Sequence, residues 1–162
     1  MKAITVLGLL ISSTIVFSQE TPVSQAEADV AIRKAYTHLR QVLNLPQAKF
    51  APSSAKTPLT RDQLVARLAS MHEYISEKVQ LKVRPTNAEL KGLASGLSEQ
   101  RRRDIKTLAM LGLVSPDSTL VKSAQNQFTP REFGAILGVF LTRAMDITHE
   151  LDLKYSPELM PN

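Results

Sequence analysis

Short hydroxylated residues followed three positions later by Glu or Gln stand at the head of one apolar run after another in this chain. The pairs are Ser24 with Glu27, Thr60 with Gln63, Thr86 with Glu89 and Thr129 with Glu132. In each, the hydroxyl can accept a backbone N–H from the first helical turn while the Glu or Gln returns a bond to the cap's own N–H. Ser98 is positioned to cap a further helix, and Pro130 sits at the first helical position, where its missing N–H costs nothing. A chain punctuated in this way is set up for helix, and the residues behind the caps agree.

Apolar residues behind the caps recur at spacings of three and four, which gathers them on one helical face. Ala28, Ile32, Ala35, Leu39 and Val42 mark a helix over 24–43, ended by Asn44 with Pro46 just beyond. Leu64, Leu68, Met71 and Ile75 mark a second, running from Thr60 towards Val79. Pro85 forces an extended break, after which Leu90, Leu93 and Ala94 form a short helix ended by Gly96. Ile105, Leu108 and Leu111 face one way on the helix that Gly112 stops. Phe133, Leu137, Phe140, Ala144, Ile147 and Leu151 line the last. Segments 46–59 and 113–128 read as loops. Strand signals are weak throughout, so the fold class is all-α.

The first residues read as an export signal. Met1-Lys2 is a short positive start, Ala3 to Ile11 is nearly all apolar, and Val16-Phe17-Ser18 suits a signal peptidase. The apolar stretch is short for a bilayer crossing of about 20 residues. The expectation is a cleavable signal over 1–18 and a single helical domain over 19–162, working in the periplasm, cell wall or at the cell surface. Removing 18 residues from 162 leaves 144, enough for a real core, and losing Lys2 takes the formal charge from +5 to +4. Export makes nucleic acid an unexpected partner for that charge and acidic envelope polymers a natural one. The chain has no cysteine, so neither a disulfide nor a thiolate site can form, and no tryptophan to serve as a sugar platform. No integral membrane segment is expected after signal cleavage.

Shifting the chain on itself by about 69 residues aligns two halves. Leu59-Thr60-Arg61-Asp62-Gln63-Leu64 falls over Phe128-Thr129-Pro130-Arg131-Glu132-Phe133. Leu68, Met71 and Ile75 fall over Leu137, Phe140 and Ala144, and Tyr36 and Leu39 over Ile105 and Leu108. Each half is a helix, a terminator, a loop and a Thr-capped helix. The division is repeat 1 over about 24–79, a linker with a short helix over 80–97, repeat 2 over about 98–150, and a tail over 151–162.

The ordered motifs resemble the S-layer homology (SLH) domain family. Its unit is a helix ending in Leu-Gly-Ile/Val, a loop like Pro-Asp-Gly-Thr-Phe-x-Pro, and a helix opening with Thr-Arg-Ala-Glu. The second half carries Leu111-Gly112-Leu113-Val114, Pro116-Asp117-Ser118-Thr119-Leu120 and Phe128-Thr129-Pro130-Arg131-Glu132. The first carries Leu43-Asn44-Leu45, Phe50-Ala51-Pro52 and Pro58-Leu59-Thr60-Arg61-Asp62-Gln63. The resemblance implies two helix–loop–helix repeats packed as a small helical bundle. It also implies non-covalent binding to a cell-wall polysaccharide or peptidoglycan-linked acidic polymer, without catalysis and without a cofactor. The polymer-binding residues it implies are Thr60, Arg61, Arg131 and Asp117. Arg61 occupies the family's Thr-Arg position. Pro130 stands there in the second half, and Arg131, one residue later, is turned by about 100° around the helix. The family commonly works as three repeats, so self-association would complete a two-repeat chain.

Independently of the resemblance, Arg61 places a cation at the positive end of a helix dipole, a mild hint of a bound anion set against ordinary surface placement. His38, His72 and His149 lack zinc-binding spacing, and His149, Glu150 and Asp152 read as a solvated helix end rather than a metal cluster. Arg101-Arg102-Arg103 points in several directions and reads as a solvated face. No carboxylate pair, phosphate loop or nucleophile elbow stands out. Two further readings remain beside the anchoring one: an exported protein–protein interaction or structural protein that kept the fold but lost polymer binding, and a small envelope hydrolase.

Overall fold

A computed structural model describes residues 21–48, 53–79, 90, 97–123 and 125–155, with side chains through residue 147. The expected signal segment, the Phe50-Ala51-Pro52 motif and the short helix opened by Thr86 lie outside the described residues, as do the side chains of the His149 cluster. Among those described there are five helices and no strand: α1 (Gln25–Leu43), α2 (Arg61–Lys78), α3 (Glu99–Met110), α4 (Thr119–Lys122) and α5 (Pro130–Tyr155). The fold is all-α. None of the described helices is long and apolar enough to cross a membrane.

Among the described residues, three of the four expected capping pairs form. Ser24 Oγ accepts from the Glu27 N–H at 3.3 Å, and the Glu27 carboxylate accepts from the Ser24 N–H at 2.9 Å. The Ser24 hydroxyl also donates to that carboxylate at 2.7 Å, and this bond, with the one from the Ser24 N–H, holds the Glu27 carboxyl below the usual carboxylate pKa. Thr60 and Gln63 make the same reciprocal pair, as do Thr129 and Glu132. Helices α1 and α3 end alike. Asn44 and Gly112 take the left-handed conformation, at φ 51° and 71°. The next residue in each case, Leu45 or Leu113, donates its N–H back to the carbonyl five positions earlier. Both leucines are buried.

Helix α1 packs along α5, and α2 against α3, so each half of the chain leans on the other. The stripes on α1, α2 and, through Ile147, α5 are buried in one continuous core with Leu113, Val114, Leu120 and Val121. Val42, expected on the α1 stripe, is instead 46 % exposed. After Leu39 the helix presents Leu43 to the core, four residues on, and 3.6 residues per turn rotates Val42 outward. The loop expected over 113–128 contains α4, which tucks Leu120 and Val121 under the core. Arg67 of α2 donates to Asp29 of α1 at 2.6 Å, and Asp29 also accepts from the Ser53 N–H, clasping the first loop to both helices.

One relation was not visible in the two-half alignment. With Ser24 placed over Thr60, 36 residues on, Ala28, Ile32, Ala35 and Leu39 fall over Leu64, Leu68, Met71 and Ile75. The start of α1 is therefore a third version of the starts of α2 and α5, and all twelve stripe residues are buried.

Candidate functional site

The three capped starts meet. Val23, Leu59 and Phe128, each the residue before a cap, are all buried. The Val23 N–H donates to the Phe128 carbonyl at 2.9 Å, and its carbonyl accepts from the Leu59 N–H at 2.7 Å. Around this centre two junctions repeat the same pairing. Ser24 bridges Pro58 and Thr60 bridges Gln127, both antiparallel, in each case a cap against the residue two before the next cap. The first residue after each cap then donates to the carbonyl three before the next cap: Gln25 to Thr57 at 3.0 Å, and Arg61 to Asn126 at 3.2 Å. At the third junction the corresponding donor is Pro130, which has no N–H. Beside it lies a groove of about 770 Å³ lined by Thr21, Pro22, Gln125, Asn126, Gln127, Phe128 and Thr129. Its walls carry three side-chain amides and two hydroxyls, neutral groups that both donate and accept.

Arg61 is only 4 % exposed, a departure from a surface cation at a helix start. Its guanidinium donates to the carbonyls of Ser123 and Gln125, while its backbone N–H is shared between the Asn126 carbonyl and side-chain oxygen. The segment 123–127 runs past the head of α2, and its carbonyl dipoles supply the negative potential that the helix dipole does not. Burial pulls the Arg61 pKa below its ordinary value. The side chain acts as a strut between the halves.

Thr60 is engaged as the α2 cap. Arg131 is exposed in the first turn of α5. Asp117 is exposed and paired with Lys122 across α4. Among the described residues, neither Arg131 nor Asp117 shares a hydrogen bond or ion pair with Arg61, so the four expected residues do not converge on one point. The 125–127 amides beside the groove were missed in the sequence, although Gln125-Asn126-Gln127 just ahead of a cap is a legible polar run.

Arg101 also departs from a solvated face: it pairs with Asp104 at 2.6 Å and Asp62 at 3.3 Å, tying α3 to α2, and the Asp104 bond raises its pKa. His72 lines a small apolar cavity with Ile75, Leu113, Phe140, Ala144 and Ile147. Burial lowers its pKa against the opposing charge of Glu73, and Ser76 Oγ lies 3.2 Å from its Nε2. The Ser76 hydroxyl donates to the His72 carbonyl at 2.7 Å, which occupies its proton within the helix. Among the described residues, no three His, Asp or Glu side chains are grouped to hold a metal ion.

Comparison with known proteins returns no family model, no curated relative and no solved structure that matches the chain.

Proposed function

We propose that this is an exported, non-catalytic cell-envelope protein of SLH type, built from two helix–loop–helix repeats, that binds a wall polymer non-covalently in the groove between its first and third helix starts. The observation that carries the reading is the third junction, which is joined through Val23 and Phe128 but lacks the bond that the residue after the cap makes at the other two. Two junctions are closed by matched backbone bonds, whereas the one at Pro130 adjoins a groove of amides and hydroxyls. Such walls suit the hydroxyls and ring oxygens of a polysaccharide. Arg131, exposed one residue past Pro130, would supply the cation for an acidic unit of that polymer.

The test is co-sedimentation of the protein with purified wall polymer over a range of salt concentrations. Binding that falls at least severalfold in Asn126→Ala and Arg131→Ala supports the groove. A wild-type protein that stays in the supernatant at every salt concentration sinks the anchoring idea. Arg61→Ala is a poor probe, because Arg61 is structural and its loss weakens the fold that forms the groove.

The burial of Arg61 favours a second reading. An arginine committed to Ser123 and Gln125 is not offered to an anionic sugar. A chain that kept the fold and lost the polymer would work through protein–protein contact, and would fail the sedimentation test while remaining folded.

A further inference from the structure

A second concavity lies away from the three helix starts, on the outer side of α1. Arg33, Thr37 and Arg40 follow one another at spacings of four and three, so they share a face. With Tyr36, Gln47 and Ala48 they line a cavity of about 210 Å³. Among the described residues no carboxylate lines it.

The wall opposite α1 is held in place by the protein itself. The Tyr36 hydroxyl donates to the Pro46 carbonyl at 2.7 Å, and the Tyr74 hydroxyl donates to the Gln47 carbonyl at 3.3 Å. The two rings meet edge to face at 5.6 Å. Burial, with Tyr74 alongside, pushes the Tyr36 pKa up to about 12, so its hydroxyl keeps its proton and its role as donor. Arg40 Nε donates to the Leu45 carbonyl at 3.1 Å, which fixes the plane of a guanidinium that has four further N–H donors. The end of α1 contributes a partial negative charge of about half a unit, well below two guanidinium charges. The cleft therefore favours an anion and needs little reorganisation to receive one.

We propose that this cleft is an oxyanion site that takes a phosphate group, held between the Arg33 and Arg40 guanidinium groups with the Gln47 amide as a further donor. A planar carboxylate is satisfied by a single guanidinium fork, whereas a tetrahedral phosphate presents oxygens to two forks at once. A phosphomonoester and a phosphodiester both offer that chemistry. The site shares no residue with the groove at the third junction and goes beyond the polymer reading.

The experiment titrates inorganic phosphate, dimethyl phosphate and glucuronate into the isotope-labelled full chain at matched ionic strength, following backbone amide resonances. The expected result is saturable binding of inorganic phosphate, dimethyl phosphate or both, with shifts centred on residues 33–40 and 45–48. Affinity falls at least tenfold in Arg33→Gln and in Arg40→Gln, and Arg33→Lys keeps part of it. The tighter of the two phosphates identifies a monoester or a diester source. Arg33→Gln leaves the Leu45 bond intact, so it remains informative if Arg40→Gln loosens the loop. Shifts that sodium chloride reproduces, affinity unchanged in both variants, or tighter binding of glucuronate than of either phosphate would each overturn the assignment. Failure here leaves the sedimentation test standing, because no residue is common to the two sites.

Discussion

Helices α2 and α5 begin with the same cap in the same register, yet their first residues do opposite things. Arg61 donates its backbone N–H and its guanidinium across to segment 123–127, and the junction closes. Pro130 can donate nothing, and a groove lies alongside. A single substitution at an otherwise conserved-looking register position thus separates a structural seam from a recess. The lesson is that the Thr-Arg dipeptide, which in the sequence looks like a ligand contact, here holds the chain to itself.

The strongest blow to that comparison is aimed at its common centre. Phe128→Ala should cost about 3–5 kcal/mol, since the ring is fully buried between the other two starts. Chemical denaturation would measure it, and a loss below 1 kcal/mol would mean that the starts do not depend on one another. Arg61→Met comes next. It strands the Ser123 and Gln125 carbonyls at about 1–3 kcal/mol each, while removing a buried cation returns part of that, for a net loss of about 2 kcal/mol. A neutral effect would show the strut to be idle. Thr60→Ala and Thr129→Ala should each cost about 1 kcal/mol, and nearly equally, because both caps make the same reciprocal pair. Unequal losses in thermal melts would break the equivalence of the two starts.

The smallest effect concerns pH. His72 and Leu141 hold matching places on α2 and α5, and only His72 titrates. Burial lowers its folded-state pKa below the ordinary 6.5, so the unfolded chain takes up the proton first as pH falls. Its stabilising share is therefore complete above about pH 6.5 and declines as pH drops from there towards the depressed folded value. His72→Leu should flatten the stability profile in that window relative to wild type. Identical profiles from pH 5 to 8 would remove His72 from the account.

The parts of the fold that were legible in the sequence are the local ones. Caps, terminators and stripes each depend on residues within a turn or two, so Ser24, Thr60, Ser98, Thr129, Asn44 and Gly112 could be placed directly. The all-α class follows from them. The burial of Arg61 could not be read, because its partners are carbonyls 62 and 64 residues away that any sequence would supply. Helix α4 was hidden by its length of 4 residues and by a cap, Ser118, that makes no side-chain bond. The equivalence of the α1 start to the other two was overlooked because α1 carries Ala28 and Ala35 where α5 carries Phe133 and Phe140, so the register survives while the residues differ. Of the candidate site, Thr60 and Arg61 were singled out without their structural partners, the α2 cap and the Ser123 and Gln125 carbonyls, and the 125–127 amides were passed over as loop.

The place of Val23 has a consequence for the order in which this chain can fold. It bonds to Leu59 and to Phe128, and so joins the beginning of the described chain to a point more than a hundred residues on. A polypeptide emerging N-terminus first can form α1 and α2 early, but the centre cannot close until Phe128 has followed. Until then Val23 and Leu59 lack their third partner, and the half-made molecule keeps apolar surface open to chaperones or to other copies of itself.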